Sequence, residues 1–227
     1  MSNSYDEFLR RMIWYREKMK LSQKEVSSLL GKTQSQQSKV ELRKTVVSFE
    51  MLNGLVNAGW DIDFIITGKT GICIEENLTD YLCKKAGPSW KELKEVLLWI
   101  IGRELKKCNG FKDNEIKLEY ELLKAYLGQE QSPSALYEIR NIMGVSQMSM
   151  SEKLGVNIKK YRNLEKGTVY PDAELLMLIY EISYCRPSTF FCKDGIDGYL
   201  LNCLWNQLET GLRREARKFM DDAMKVL

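Results

Sequence analysis

The chain contains no histidine. That absence removes histidine general-base catalysis, Ser-His and Cys-His nucleophile pairs, and every metal site built on imidazole. The six cysteines, at 73, 83, 108, 185, 192 and 203, never reach the C-x-x-C spacing of a zinc ribbon or a thioredoxin-like motif. They are expected to be buried thiols, not disulfides. The longest apolar run, Val96 to Ile101, has six residues, against the roughly 18 needed to span a bilayer. The first residues, Met1-Ser2-Asn3-Ser4-Tyr5-Asp6-Glu7, lack the basic and apolar parts of a signal peptide, so a cytoplasmic protein without a membrane partner is expected. The adjacent carboxylates Glu75-Glu76 and Asp221-Asp222 read as solvated faces, not as an acid-base pair. With no nucleophile-base constellation in view, the expectation is a protein that is not an enzyme and needs no cofactor or metal.

What the chain does have is enough apolar residue for a core: 44% hydrophobic and 29% charged over 227 residues, a composition that fits one or two soluble domains. The 34 basic and 31 acidic residues leave a net charge of +3, too near balance to diagnose a nucleic-acid partner. Only local clustering can do that.

A repeat at an offset of 124 residues organises the sequence. It places Arg16 on Arg140, Met19 on Met143, Ser22-Gln23 on Ser146-Gln147, Ser27 on Ser151, Leu30-Gly31 on Leu154-Gly155 and Glu41 on Glu165, without a gap. Each copy reads as helix, turn, helix. Ser22 and Ser146 are expected N-caps of a short helix, since a serine oxygen can accept from the free amides of the first turn. Val26, Leu29 and Leu30, or Met150 and Leu154, then share one face and can bury. Gly31 and Gly155 stand where the chain must leave the helix in a left-handed conformation. Thr33 and Asn157 cap the next helix, whose Val40, or Tyr161 and Leu164, face inward.

Two Ser-Gln-x-x-[Val/Met]-Ser-x-x-Leu-Gly segments, Asn163-Leu164-Glu165-Lys166-Gly167 and the following Pro171 carry a resemblance to the Cro/XRE-like helix-turn-helix family of phage and bacterial repressors. Gly59-Trp60-Asp61-Ile62-Asp63-Phe64-Ile65-Ile66-Thr67-Gly68 is similar to the fifth-helix ending of phage-repressor DNA-binding domains. The resemblance implies an all-α fold with two lambda-repressor-like bundles, at 1–68 and 134–192, joined by a helical association region at 69–133 and followed by a C-terminal helix at 193–227. It further implies structural ion pairs of Arg16 with Glu41 and of Arg140 with Glu165. Gln34, Ser35 and Lys39 would face bases, and Gln23 and Gln147 would open the second helices beside phosphate, with Arg43 and Lys44 on the same rim. In the second copy Ile158, Lys159, Arg162 and Asn163 would read.

The chemistry of those residues agrees with such roles. Glutamine can pair bidentately with adenine, while isoleucine can touch a thymine methyl. Eight basic against three acidic residues leave +5 between 16 and 45, and six against two leave +4 between 140 and 169. Two departures stand out: Gln37 replaces an aliphatic core residue of the family, and Leu42-Arg43 replaces the Lys166-Gly167 turn. Gly68-Lys69-Thr70 looks like the end of a phosphate-binding loop, but a Walker A motif needs glycine where Asp63 stands, and a helix C-cap explains it better.

Outside the copies, helices are expected at 78–85, 90–108 and 114–127, with a further apolar stripe of Tyr199, Leu200, Leu204, Trp205, Leu208 and Leu212 before Phe219, Met220 and Leu227. Such stripes usually pack within their own chain. Together with Trp99 they also suggest a homodimer, although two readers in one chain could act as a pseudo-dimer. The functional expectation is a sequence-specific regulator of transcription, a repressor, bound to double-stranded DNA. The alternative is an interaction scaffold or antitoxin-like partner whose copies have lost their grip on DNA.

Overall fold

The computed structural model describes residues 2–87, 93–128, 132–192 and 195–224. Among them the chain is all-helical, without a strand. In order come α1 (Ser2–Lys18), α2 (Gln23–Leu29), α3 (Gln34–Glu41), α4 (Phe49–Asn57), α5 (Ile62–Thr67), α6 (Leu78–Ala86) and α7 (Lys94–Lys107). Then follow α8 (Asn114–Gly128), α9 (Ala135–Ile142), α10 (Gln147–Lys153), α11 (Ile158–Glu165), α12 (Ala173–Ser183), α13 (Ile196–Asn206) and α14 (Thr210–Met224). No helix among the described residues is long and apolar enough to cross a membrane. Two compact units emerge: Met1–Gly71 with Val145–Phe191, and Ile72–Gly144 with Cys192–Leu227. The helix α9, aligned with α1 by the 124-residue offset, groups with the second unit.

In the first unit, Tyr5, Phe8, Leu9 and Met12 recur at helical spacing along α1 and bury against Met51, Leu52 and Leu55 of α4 and Ile62, Ile65 and Ile66 of α5. The end of α5 is closed twice. Gly68 adopts a left-handed φ of 81° at its C-cap, and Arg11 donates from Nε and Nη2 to the carbonyls of Ile65 and Ile66 at 2.9 and 2.8 Å. Ala173, Leu176 and Met177 of α12 and Phe191 belong to the same core. The repeat copies therefore share one interior. Beside it, Met150, Leu154, Tyr161 and Leu164 of the second copy are buried as their spacing predicts. Leu29 is not: it is 46% exposed, because Val26 and Leu30 already cover the inner face of α2.

The second unit is built on α13, which packs against α8 and α6, while α8 also meets α9 and α7. Leu97, Ile100, Ile101 and Leu105 of α7, Leu122 and Leu123 of α8, and Leu200, Leu204 and Trp205 of α13 are buried, so the apolar stripes are mostly consumed inside this unit. Trp90 and Leu227 of the expected stripes lie outside the described residues. Trp99 and Phe219 stay 56% and 52% exposed and flank a cavity of about 130 Å³ with Leu212 and Ala216.

Three expectations are corrected in this unit. Cys73, Cys83 and Cys108 are exposed thiols, lying in a loop, on the outer side of α6 and at the end of α7; Cys203 is buried as expected, as is Cys185 of the first unit, and Cys192 is intermediate. Glu75 and Glu76 are not merely solvated: Glu76 accepts from the Trp205 indole at 3.1 Å and pairs with Arg213 and Arg217, and Glu75 pairs with Arg213. Asp221 accepts from the Tyr81 hydroxyl, an arrangement that with burial pushes the phenol up to about 12. The C-terminal segment is two helices instead of one. Asn206 ends α13 by turning its amide onto the carbonyls of Glu76 and Asn202 and accepting from the amides of Glu75 and Glu76.

Candidate nucleic-acid interface

Both helix pairs begin with the expected caps. The Ser22 hydroxyl accepts from the Glu25 amide at 3.2 Å, and the Glu25 carboxylate accepts from the Ser22 amide at 2.7 Å. These hydrogen bonds from Ser22 hold the Glu25 carboxyl below its ordinary range. Thr33 and Gln36 form the same reciprocal box at the start of α3. In the second pair Ser146 accepts from Ser149 and Asn157 from Lys160, at 3.1 and 2.8 Å.

The turns repeat at the level of backbone angle. Gly31 and Gly155 have φ of 61° and 63°. Two further left-handed positions fall at the same offset: Lys20 at 57° against Gly144 at 66°, and Arg43 at 58° against Gly167 at 70°. A side chain in this region costs roughly 1–2 kcal/mol, which glycine avoids. The first copy thus carries cations at two strained positions where the second carries glycine. Arg43 is exposed, pairs with Asp6 at 2.8 Å and lies 5.8 Å from the Tyr5 ring.

Beneath the first pair lies a polar node. Arg16 Nε donates to Glu41 Oε1 at 3.1 Å and its Nη1 to the Leu21 carbonyl at 2.9 Å, so the expected ion pair is present. Glu41 also accepts from Gln23 at 2.7 Å and from Gln37 at 3.1 Å. This explains the departure at position 37: the buried glutamine finds a donor role on Glu41, although its own oxygen has no partner. Gln23 is drawn inward, and an amide NH2 has a second hydrogen for a phosphate. In the second pair, Glu165 is buried and accepts from Gln147 and from the Tyr161 hydroxyl, while Arg162 donates to Gln147 at 3.4 Å. Arg140, on α9 of the other unit, stacks its guanidinium 5.4 Å from the Tyr137 ring.

The outer side of α3 presents Gln34, Ser35 and Lys39, all exposed, with exposed Arg43 and Lys44 just beyond it. On α11 the corresponding residues are Ile158, half-buried, Lys159, exposed, and Asn163, half-buried, with Arg162 exposed and Gln147 half-buried nearby. Exposed Met148 and Tyr170 lie beside them in sequence, apolar additions that helical spacing does not single out.

A second feature missed by pattern alone is the contact between the copies within the first unit. The Phe49 ring stacks on Tyr170 at 4.5 Å and on Phe191 at 4.6 Å, and the Ala173 amide donates to the Val47 carbonyl at 3.0 Å. Ser188 donates from its amide and hydroxyl to the two oxygens of Asp63, at 2.8 and 2.6 Å. Burial pushes the Asp63 carboxyl above its ordinary range against those bonds and the nearby Arg186 charge. No family model, curated protein or solved structure matches the chain.

Proposed function

We propose that the protein is a cytoplasmic, non-enzymatic, sequence-specific DNA-binding regulator that represses transcription by occupying its site. The observation that carries this reading is the exposed Gln34, Ser35 and Lys39 of α3 with exposed Arg43 and Lys44 just beyond them, in a copy that also holds the cations Lys20 and Arg43 in left-handed backbone. Strain that persists at a surface position calls for a function, and positive charge beside exposed hydrogen-bonding side chains suits a phosphate backbone flanking base edges. The Arg16–Glu41–Gln23 node supports it by fixing α2 against α3 from below.

The test separates the two contact types. Gln34→Ala is expected to relax sequence preference at one position by about 1–3 kcal/mol, whereas Lys44→Ala weakens specific and random duplexes alike. Equal losses for both variants on both duplexes would contradict the assigned roles. Binding as a whole weakens steeply as salt rises, because each neutralised phosphate releases counterions.

A scaffold or antitoxin-like role is favoured by one observation, the apolar Met148 and Ile158 at the second pair. A mobility-shift assay on the protein's own upstream DNA at low salt, with no retarded band, would select it. For self-association, the buried stripes no longer argue for a partner; the homodimer expectation rests on Trp99 and Phe219. Sedimentation of Trp99→Ala against the unaltered protein checks it.

A further inference from the structure

We propose that one chain fills a complete, non-palindromic operator, α3 and α11 reading two unlike half-sites; this rests on the DNA-binding reading above. The repeat offset maps α5 onto residues 186–191, and α5 packs on the 3-10 turn Pro187–Phe191, its own counterpart. It also packs on α12, the counterpart of α4, whose first residue, Phe49, maps onto Ala173. An approximately twofold arrangement of the copies brings equivalent elements into contact, as α5 and its counterpart are here. A twofold axis keeps equivalent points at equal height along itself, so such an arrangement offers α3 and α11 toward the same end of the unit. The Phe49 stack, the Val47–Ala173 bond and the Asp63–Ser188 pair hold their separation fixed.

The two readers are chemically different at equivalent positions: Gln34 against Ile158, Ser35 against Lys159, and Lys39 against Asn163. Glutamine selects adenine by a bidentate pair, isoleucine selects the thymine methyl, and lysine favours guanine O6 and N7. A half-site that suits one helix therefore does not suit the other. A palindrome would satisfy only one of them.

Selection of duplexes from a random pool by the full-length protein, followed by a base-by-base substitution scan, tests this. The expected site is asymmetric, with half-site centres about one helical turn apart. Gln34→Ala is expected to lose about 5- to 150-fold of discrimination in one half only, and Ile158→Ala or, as an exposed second choice, Lys159→Ala, to lose it only in the other. A palindromic site at which Gln34→Ala flattens both halves equally would overturn the inference while leaving DNA binding intact. Failure to enrich any sequence, with no preference over random duplex, would overturn the DNA-binding reading itself and this inference with it.

Discussion

The α2–α3 and α10–α11 pairs follow the same backbone path and differ in what it carries. The second pair has glycine at both outer left-handed positions and buries Tyr161; the first has Lys20 and Arg43 there and buries Gln37 with an unpartnered oxygen. In each case the second copy holds the residue that favours folding, and the first holds the one that adds charge or polarity. The two copies share their backbone geometry, while their side chains differ toward relaxed turns and a filled interior in one and toward added charge and polarity in the other.

The comparison can be broken at its node. Glu41→Ala is expected to destabilise the protein by up to about 3 kcal/mol, since Arg16 is left with the exposed carboxylate of Glu17 while Gln23 and Gln37 lose their shared acceptor. Urea unfolding measures it. In the second pair Glu165→Ala removes the acceptor shared by Gln147 and the Tyr161 hydroxyl, and should cost about 1–3 kcal/mol by the same measurement.

At the turns the sign reverses. Lys20→Gly should raise stability by about 1 kcal/mol through relief of the left-handed backbone. Arg43→Gly should gain somewhat less, since it also loses an exposed pair with Asp6 worth about 0.2–1 kcal/mol. Both variants should bind all DNA more weakly, with the salt dependence shallower by about 0.9 per phosphate contact removed. An unchanged slope would show that these cations do not face phosphate.

The smallest effects lie at the equivalent buried positions, and they should be opposite in sign. Gln37→Met removes an unsatisfied oxygen but also one of the hydrogen bonds to Glu41, which keeps Arg16 and Gln23, and is expected to stabilise by less than about 1 kcal/mol, whereas Tyr161→Phe is expected to destabilise by about 1 kcal/mol through loss of its hydrogen bond to Glu165. Melting curves of the two variants, recorded together, check the pair. If both changes destabilise, Gln37 is better satisfied than its surroundings imply.

What could be read along the chain was local. Ser22, Thr33, Ser146 and Asn157 announce their caps within three residues, and Gly31 and Gly155 announce their turns, because both effects act within one helical turn. Val40, Tyr161 and Leu164 follow from helical spacing. Leu29 shows the limit of that spacing: a short helix offers several apolar residues, and the neighbours decide which are covered. The left-handed Lys20 and Arg43 carry no signal of their own, yet the same offset that revealed the repeat aligns them with Gly144 and Gly167 and could have exposed them. The roles of Glu76, Asn206 and Phe49 were not legible, because their partners lie more than a hundred residues away. The same is true of the break between α13 and α14, where no proline falls and the nearby Gly211 lies within α14 itself.

The aromatic sandwich of Tyr170, Phe49 and Phe191 has a consequence for how such a molecule behaves at low abundance. Modules joined through a common interior need not find each other by diffusion, so their pairing does not dissolve on dilution as that of separate subunits does. Occupancy of a target would then climb with the first power of protein concentration, and a few molecules per cell would act as fully assembled units.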